Sequence, residues 1–178
     1  MQSYFLFLRG INVGGHHKVP MAELKKLMEK LGFSKVQTLL NSGNVIFESD
    51  QHDVSALEKR LSEELEKKFG FSIPVLIKRP KELQEVMDAD PFAGIEVKKD
   101  IRLYLSLIRD LPQEYPDLPW KADDGSFEML LMKNNVLCSV LDVSKAKTPD
   151  AMKIVEQTFG KDITTRNVNT INKMLAKV

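Results

Sequence analysis

Val36-Gln37-Thr38-Leu39-Leu40-Asn41-Ser42-Gly43-Asn44-Val45-Ile46-Phe47 reads as two short strands, Val36 to Leu40 and Val45 to Phe47, folded about Asn41-Ser42-Gly43-Asn44. Asn and Gly tolerate positive φ, which makes this a strong hairpin signal. Upstream, Met21, Leu24, Leu27, Met28 and Leu31 recur at helical spacing, with Pro20 in the first turn and Gly32 placed to end the helix. Before that helix, Tyr4 to Leu8 is a continuous apolar run ending at Arg9-Gly10, which suits a strand covered on both faces. Downstream, Ser55 and Glu58 have capping-box spacing, and Leu57, Leu61, Leu65 and Phe69 form one stripe before Gly70. Phe71 to Ile77 supplies a fourth strand, whose Pro74 points to a sheet edge. The order is βαββαβ. It specifies a ferredoxin-like sandwich, two helices on one face of a four-stranded antiparallel sheet.

The rest of the chain echoes that order. A linker over residues 79–99 holds a short helix, Pro80 to Met87, with Leu83, Val86 and Met87 apolar. Ile101 to Leu107 alternates like a strand, and Phe127 to Met132 pairs with Val136 to Leu141 across Lys133-Asn134-Asn135. Thr148-Pro149 caps a helix running to Phe159, Asp162 to Thr165 forms a short last strand, and a helix from about Asn167 to Lys177 presents Val168, Ile171, Met174 and Leu175. After Ile108, Pro112, Pro116 and Pro119 leave room for only a stunted crossover helix. The expected fold is therefore α+β: two tandem ferredoxin-like (βαββαβ) sandwiches with antiparallel sheets, over residues 1–78 and 100–178, plus a C-terminal helix.

Composition narrows the function. The 178 residues can bury roughly 70% of their unfolded surface. With 26 Lys and Arg against 25 Asp and Glu, no global field draws in nucleic acid or an anionic membrane, so electrostatic recognition must be local. Cys138 is the lone cysteine and cannot form an internal disulfide, which fits a reducing cytosol. The start, Met1 to Leu8, lacks a basic region and is too short in its apolar run for a signal peptide or a membrane span. A cytoplasmic protein with no membrane partner is expected.

The local charge lies in Arg9-Gly10-Ile11-Asn12-Val13-Gly14-Gly15-His16-His17-Lys18-Val19-Pro20, a basic loop between a strand and a helix start. In a βαββαβ sandwich the first two strands run the same way and the helix between them runs back. The loop, the helix N-terminus near Pro20 and the turn Asn41 to Asn44 then share one sheet edge. Arg9 offers a bidentate fork, Lys18 a point charge, Asn12, Asn41, Ser42 and Asn44 neutral hydrogen-bonding groups, and Gly14-Gly15 unobstructed N–H groups. A phosphate or carboxylate suits that set. The plainer alternative is that the glycines permit turning, the asparagines serve the hairpin and the cations solvate the rim. A Walker loop is excluded because His16-His17-Lys18-Val19 follows Gly15, and the glycines miss the dinucleotide spacing.

Other chemistry is weaker. His16 and His17 diverge in an extended loop, and with His52 they complete three histidines without zinc spacing, so neither a metal nor a cofactor is expected. If the protein is an enzyme, His16 or His17 is the nearby group suited to proton transfer near neutral pH, but no residue set names a reaction. Ser42 lacks a nucleophile elbow. Asp88, Asp90 and Asp123-Asp124-Gly125 suit Asx turns better than an ion site. Tyr115 and Trp120 suit anchoring of the proline-rich crossover. In Thr164-Thr165-Arg166-Asn167-Val168-Asn169-Thr170, Thr165 serves as an N-cap, which leaves Arg166 and Asn167 as a surplus available to a ligand.

The segments Arg9 to Gly15, Lys18-Val19-Pro20-Met21-Ala22-Glu23-Leu24, Leu40-Asn41-Ser42-Gly43-Asn44-Val45 and Thr165-Arg166-Asn167 together resemble the bacterial family called domain of unknown function 1697. Asp90-Pro91-Phe92 stands where that family has Asn-Pro-Phe, and Val168 where it has tryptophan. The resemblance implies an α+β fold of ferredoxin-like parts in a soluble bacterial protein, and it brings no activity, cofactor or catalytic residue. The leading expectation is binding of a small anionic or phosphorylated ligand. The alternatives are an RNA or single-stranded nucleic-acid binding module, against which the RNP pattern is missing, or an interaction module working through its edge strands.

Overall fold

A computed structural model describes all 178 residues, and the chain divides into two units, Met1–Lys81 with Ala176–Val178, and Glu82–Leu175. The fold is α+β, with two antiparallel sheets and five helices. In the first unit the order is β1 (Gln2–Leu8), α1 (Met21–Lys30), β2 (Ser34–Leu39), β3 (Asn44–Ser49), α2 (Val54–Phe69) and β4 (Val75–Lys78). Its strands lie in the order β2-β3-β1-β4, with every neighbouring pair antiparallel. Tyr4, Leu6 and Leu8 share one core with Leu24 and Met28 of α1 and Leu57, Leu61 and Leu65 of α2, so both helices cover the same sheet face. Phe5 and Phe7, on the opposite face, are equally buried, as a continuous apolar strand requires.

Two local expectations are corrected. Ser55 and Glu58 do not form a capping box: Asp53 is the N-cap, its Oδ1 accepting from the Ala56 N–H at 3.1 Å. Glu58 points inward instead, and its Oε1 accepts from the Ile77 N–H at 2.7 Å. β4 is an edge strand, as Pro74 suggests, and Glu58 satisfies a backbone donor that β1 leaves unmet. The fourth strand also starts later than expected, at Val75, directly after the residue that has no N–H to pair.

Helix α3 (Pro80–Asp88) crosses the junction, and the second unit continues with β5 (Ile101–Ile108), β6 (Trp120–Lys121), β7 (Phe127–Lys133), β8 (Val136–Asp142), α4 (Thr148–Phe159), β9 (Ile163–Asn167) and α5 (Val168–Leu175). Its sheet order is β6-β7-β8-β5-β9, again antiparallel throughout. No crossover helix forms between β5 and β7. The three prolines leave instead an irregular segment that ends in the two-residue β6. Helix α4 begins at Thr148, and the cap contact comes from Asp150, whose Oδ2 accepts from the Lys147 N–H at 3.2 Å. Thr165 is not a cap. It lies within β9, its hydroxyl 2.8 Å from Ser106 Oγ, and Asn167 Oδ1 takes the Asn169 N–H at the start of α5.

Cys138 sits fully buried in β8, and burial pushes its thiol up to about 12. Thiolate is the reactive form, so the native protein is expected to ignore Ellman's reagent at pH 8 and to release one equivalent only after denaturation. Fast labelling of the native chain would contradict that burial. No helix is long and apolar enough to cross a membrane.

Candidate functional site

The loop that leaves β1 is anchored on both sides. The Leu8 N–H donates to Gly43 O at 2.8 Å and the Arg9 N–H to Pro74 O at 3.0 Å, which ties the strand end to the hairpin turn and to the entry of β4. The chain then folds back on itself. Asn12 N–H donates to His17 O (3.1 Å) and His16 N–H to Val13 O (3.2 Å), with Gly14 (φ 60°) and Gly15 (φ 78°) as the two central residues of the turn. Positive φ at both positions is what such a turn demands. A Cβ on either glycine would meet nothing within 4 Å, so backbone conformation, and not space, requires them.

Asn12 holds the loop against the hairpin. Its Oδ1 accepts from the Val19 N–H at 2.8 Å, while its Nδ2 donates to Val19 O at 3.0 Å and to Asn41 O at 2.7 Å. The amide expected to face a ligand is therefore engaged inside the protein. Asn44 is spent in the same way: it is fully buried, and its Nδ2 donates to Leu39 O (3.0 Å) and Ser42 Oγ (2.9 Å). These bonds satisfy backbone and hydroxyl groups that a tight turn would otherwise strand.

The remaining expected residues stand at the surface of this edge. Gly14, Gly15, Lys18, Asn41 and Ser42 are exposed and Arg9 is half-buried. His16 is exposed, and His17 stacks on Phe71 with ring centroids 4.6 Å apart while its Nδ1 lies 3.3 Å from Gly10 O. Pro20 precedes α1 in extended conformation and gives no side-chain cap, so N–H groups of the first helical turn stay open beside the loop. In that turn Glu23 meets Lys68 at 2.8 Å, a hydrogen bond that holds the carboxyl below the usual carboxylate range. The edge thus brings cations and backbone donors together, with no paired carboxylates or activated nucleophile.

Arg166 and Asn167 belong to the second unit, and the strand sets them on opposite faces of β9. Arg166 Nη1 donates to Thr164 Oγ1 (2.7 Å) and Thr165 O (2.9 Å), and burial pulls its guanidinium down to about 10, still charged at neutral pH. Asp124 forms the expected Asx turn, its Oδ1 accepting from Ser126 N–H (2.9 Å) and Oγ (2.6 Å), which holds its carboxyl below the ordinary range. Tyr115 packs on Phe159 with ring centroids 5.3 Å apart, anchoring the proline-rich segment. A group of hydroxyls escaped the sequence reading: Ser106 with Thr165, Tyr104 OH 3.1 Å from Thr148 Oγ1, and Ser139 Oγ, buried with no partner. The available signal was strand alternation, which puts Ser139 in phase with Leu137 and Leu141.

No curated protein matches the chain. Among solved structures, one described as a conserved bacterial protein from Streptococcus pneumoniae is similar, with a TM-score of 0.69 at 22% identity over 98% of this chain and 97% of that one. At that identity the likeness concerns the fold. Residues 1–137 match the family described as Protein of unknown function (DUF1697), and the chain belongs to that family.

Proposed function

We propose that the first unit binds a small anionic or phosphorylated molecule at the edge where the Arg9–Lys18 loop meets the Asn41–Asn44 turn. The observation that carries this reading is the Asn12 clamp, which fixes a loop bearing two cations beside the turn at 2.7 Å from Asn41 O. The ligand would take charge from Arg9 and Lys18, and hydrogen bonds from exposed backbone near Gly14-Gly15 and the uncapped start of α1. Each unit is read as ferredoxin-like. Support comes from the order β2-β3-β1-β4 with both helices on one face, and from β7-β8-β5-β9, which repeats it without the first helix. The buried single thiol favours a reducing, cytosolic setting.

A thermal-shift screen with inorganic phosphate, nucleotides and sugar phosphates tests the site. A ligand at 100 times its dissociation constant adds about 2.7 kcal/mol. The expected result is a shift with at least one phosphorylated compound that Arg9→Ala and Lys18→Ala each reduce. Shifts indifferent to both substitutions, or no shift with any compound, would overturn the proposal.

A further inference from the structure

The second sheet is incomplete along one side. On that side β6 pairs only Trp120 with Met129 and Lys121 with Glu128. The ladder ends there because Pro119 and Pro116 have no N–H to contribute. Upstream, the segment 113–118 stands off from residues 130–132 of β7 and leaves between them a cavity of about 740 Å³. The register shows which backbone groups face it. Lys133 and Val136 flank the two-residue Asn134-Asn135 turn, so they form a hydrogen-bonded pair. Pairing alternates along an antiparallel ladder, and Met132, opposite Leu137, therefore turns its N–H and C=O away from β8 and toward the cavity. No strand or loop backbone meets them there.

Both edges of the first sheet are defended. Glu58 covers a donor on β4, and β2 carries a register break next to Lys35, whose φ is 48°. A bulge and a lysine are ordinary means of blunting an edge. β7 has a register break of its own, between Met129 and Leu131, but past it Leu131, Met132 and Lys133 pair in regular register with Cys138, Leu137 and Val136, and β6 does not cover their outer side. The floor is apolar and half-exposed, with Leu130, Leu131 and Met132, and the facing segment is acidic: Asp110, Glu114 and Asp117 are exposed, and no Lys or Arg occurs between residues 110 and 119. Of the nearby cations, Lys121 already lies 3.8 Å from Glu128, and Lys133 stands at the turn end of the strand.

We infer that this groove receives an extended basic peptide, which adds to the open edge of β7 beyond β6 through main-chain hydrogen bonds at Met132 and sets its Lys or Arg side chains against Glu114 and Asp117. Strand addition gives affinity through the backbone and selectivity through alternate side chains, and here the charge of the wall selects cationic ones. A second copy of this chain is the poorer occupant, because edge-to-edge pairing would bring a second acidic 110–119 segment to the same interface. The site is independent of the proposed anion-binding edge of the first unit.

The test uses the full chain and a fluorescent eight-residue peptide of alternating Lys and Val, read by anisotropy and by the emission of Trp120, the one tryptophan. Saturable binding is expected, weakened at least tenfold when Glu replaces Lys in the peptide and at least tenfold by the surface double variant Glu114→Lys with Asp117→Lys. A peptide with alternate backbone nitrogens methylated cannot pair with the edge, and it is expected to lose binding without any change to the protein. No binding of the basic peptide would overturn the inference, as would equal binding of the methylated or acidic peptides. A concentration-dependent dimer that blocks the peptide would overturn it in favour of self-pairing.

Discussion

Gly43→Ala is expected to destabilise the protein by about 2–5 kcal/mol, more than any other change at the candidate site. Two independent effects add. Gly43 has φ of 77°, a conformation that costs an L-residue about 1–2 kcal/mol. A Cβ there would also lie 2.7 Å from Leu8 Cβ and 2.8 Å from Ile11 Cδ1, inside the packed core beneath the turn, and overpacking of that kind costs about 1–3 kcal/mol. Neither neighbour can withdraw easily, because Leu8 is held in β1 and its N–H is bonded to Gly43 O. Gly14→Ala is the matched control: φ is again positive, but the space is open, so only the conformational cost of about 1–2 kcal/mol applies. Urea denaturation of the two variants separates the effects. Equal losses would mean that the turn does not press on β1.

Asn12→Ala is the second large effect, and it reaches stability and binding together. The substitution removes three hydrogen bonds, to Val19 N–H, Val19 O and Asn41 O, and it replaces an asparagine at φ 55° with a residue less suited to that conformation. A loss of about 1–3 kcal/mol is expected, because the Val19 N–H forfeits its acceptor at a buried position. Asn12 touches no ligand in the proposed site; it positions the loop that does. Phosphate affinity is therefore expected to fall at least tenfold in Asn12→Ala, with hydrogen exchange at Val19 accelerated. Asn12→Asp is expected to do no better for binding, since a carboxylate keeps the bond to Val19 N–H but places negative charge against two carbonyl oxygens. Unchanged affinity in both variants would show that the loop needs no clamp.

Much of the fold was legible because hydrophobic periodicity reports which face of an element is buried. The run Tyr4 to Leu8 and the stripe Leu57, Leu61 and Leu65 sit where their pattern puts them, and the hairpin turn falls one residue earlier than expected, at Leu40 to Gly43, with Asn44 already in β3. Helix starts were less legible, since several residues near a start can cap and the backbone path chooses among them. Asp53 takes the role that Ser55 could have filled, which frees Glu58 to serve the edge of β4. Thr165 likewise continues a strand, because Ser106 offers its hydroxyl a partner across the sheet. At the site, residue types were readable and bond directions were not. Asn12 and Asn44 turn inward because a tight loop leaves backbone groups that only nearby side chains can satisfy, a demand that depends on three-dimensional closure. The open edge of β7 follows from the prolines only once β6 is known to be two residues long.

The most direct test of the proposed anion-binding edge is a nitrogen–proton correlation spectrum of the full chain titrated with the phosphorylated compound that gives the largest thermal shift. Saturable changes are expected at the amides of Gly10 to Lys18, at Ser42 and Gly43, and in the first turn of α1, and they should vanish in Arg9→Ala. Changes centred elsewhere, or persisting undiminished in that variant, would contradict the account.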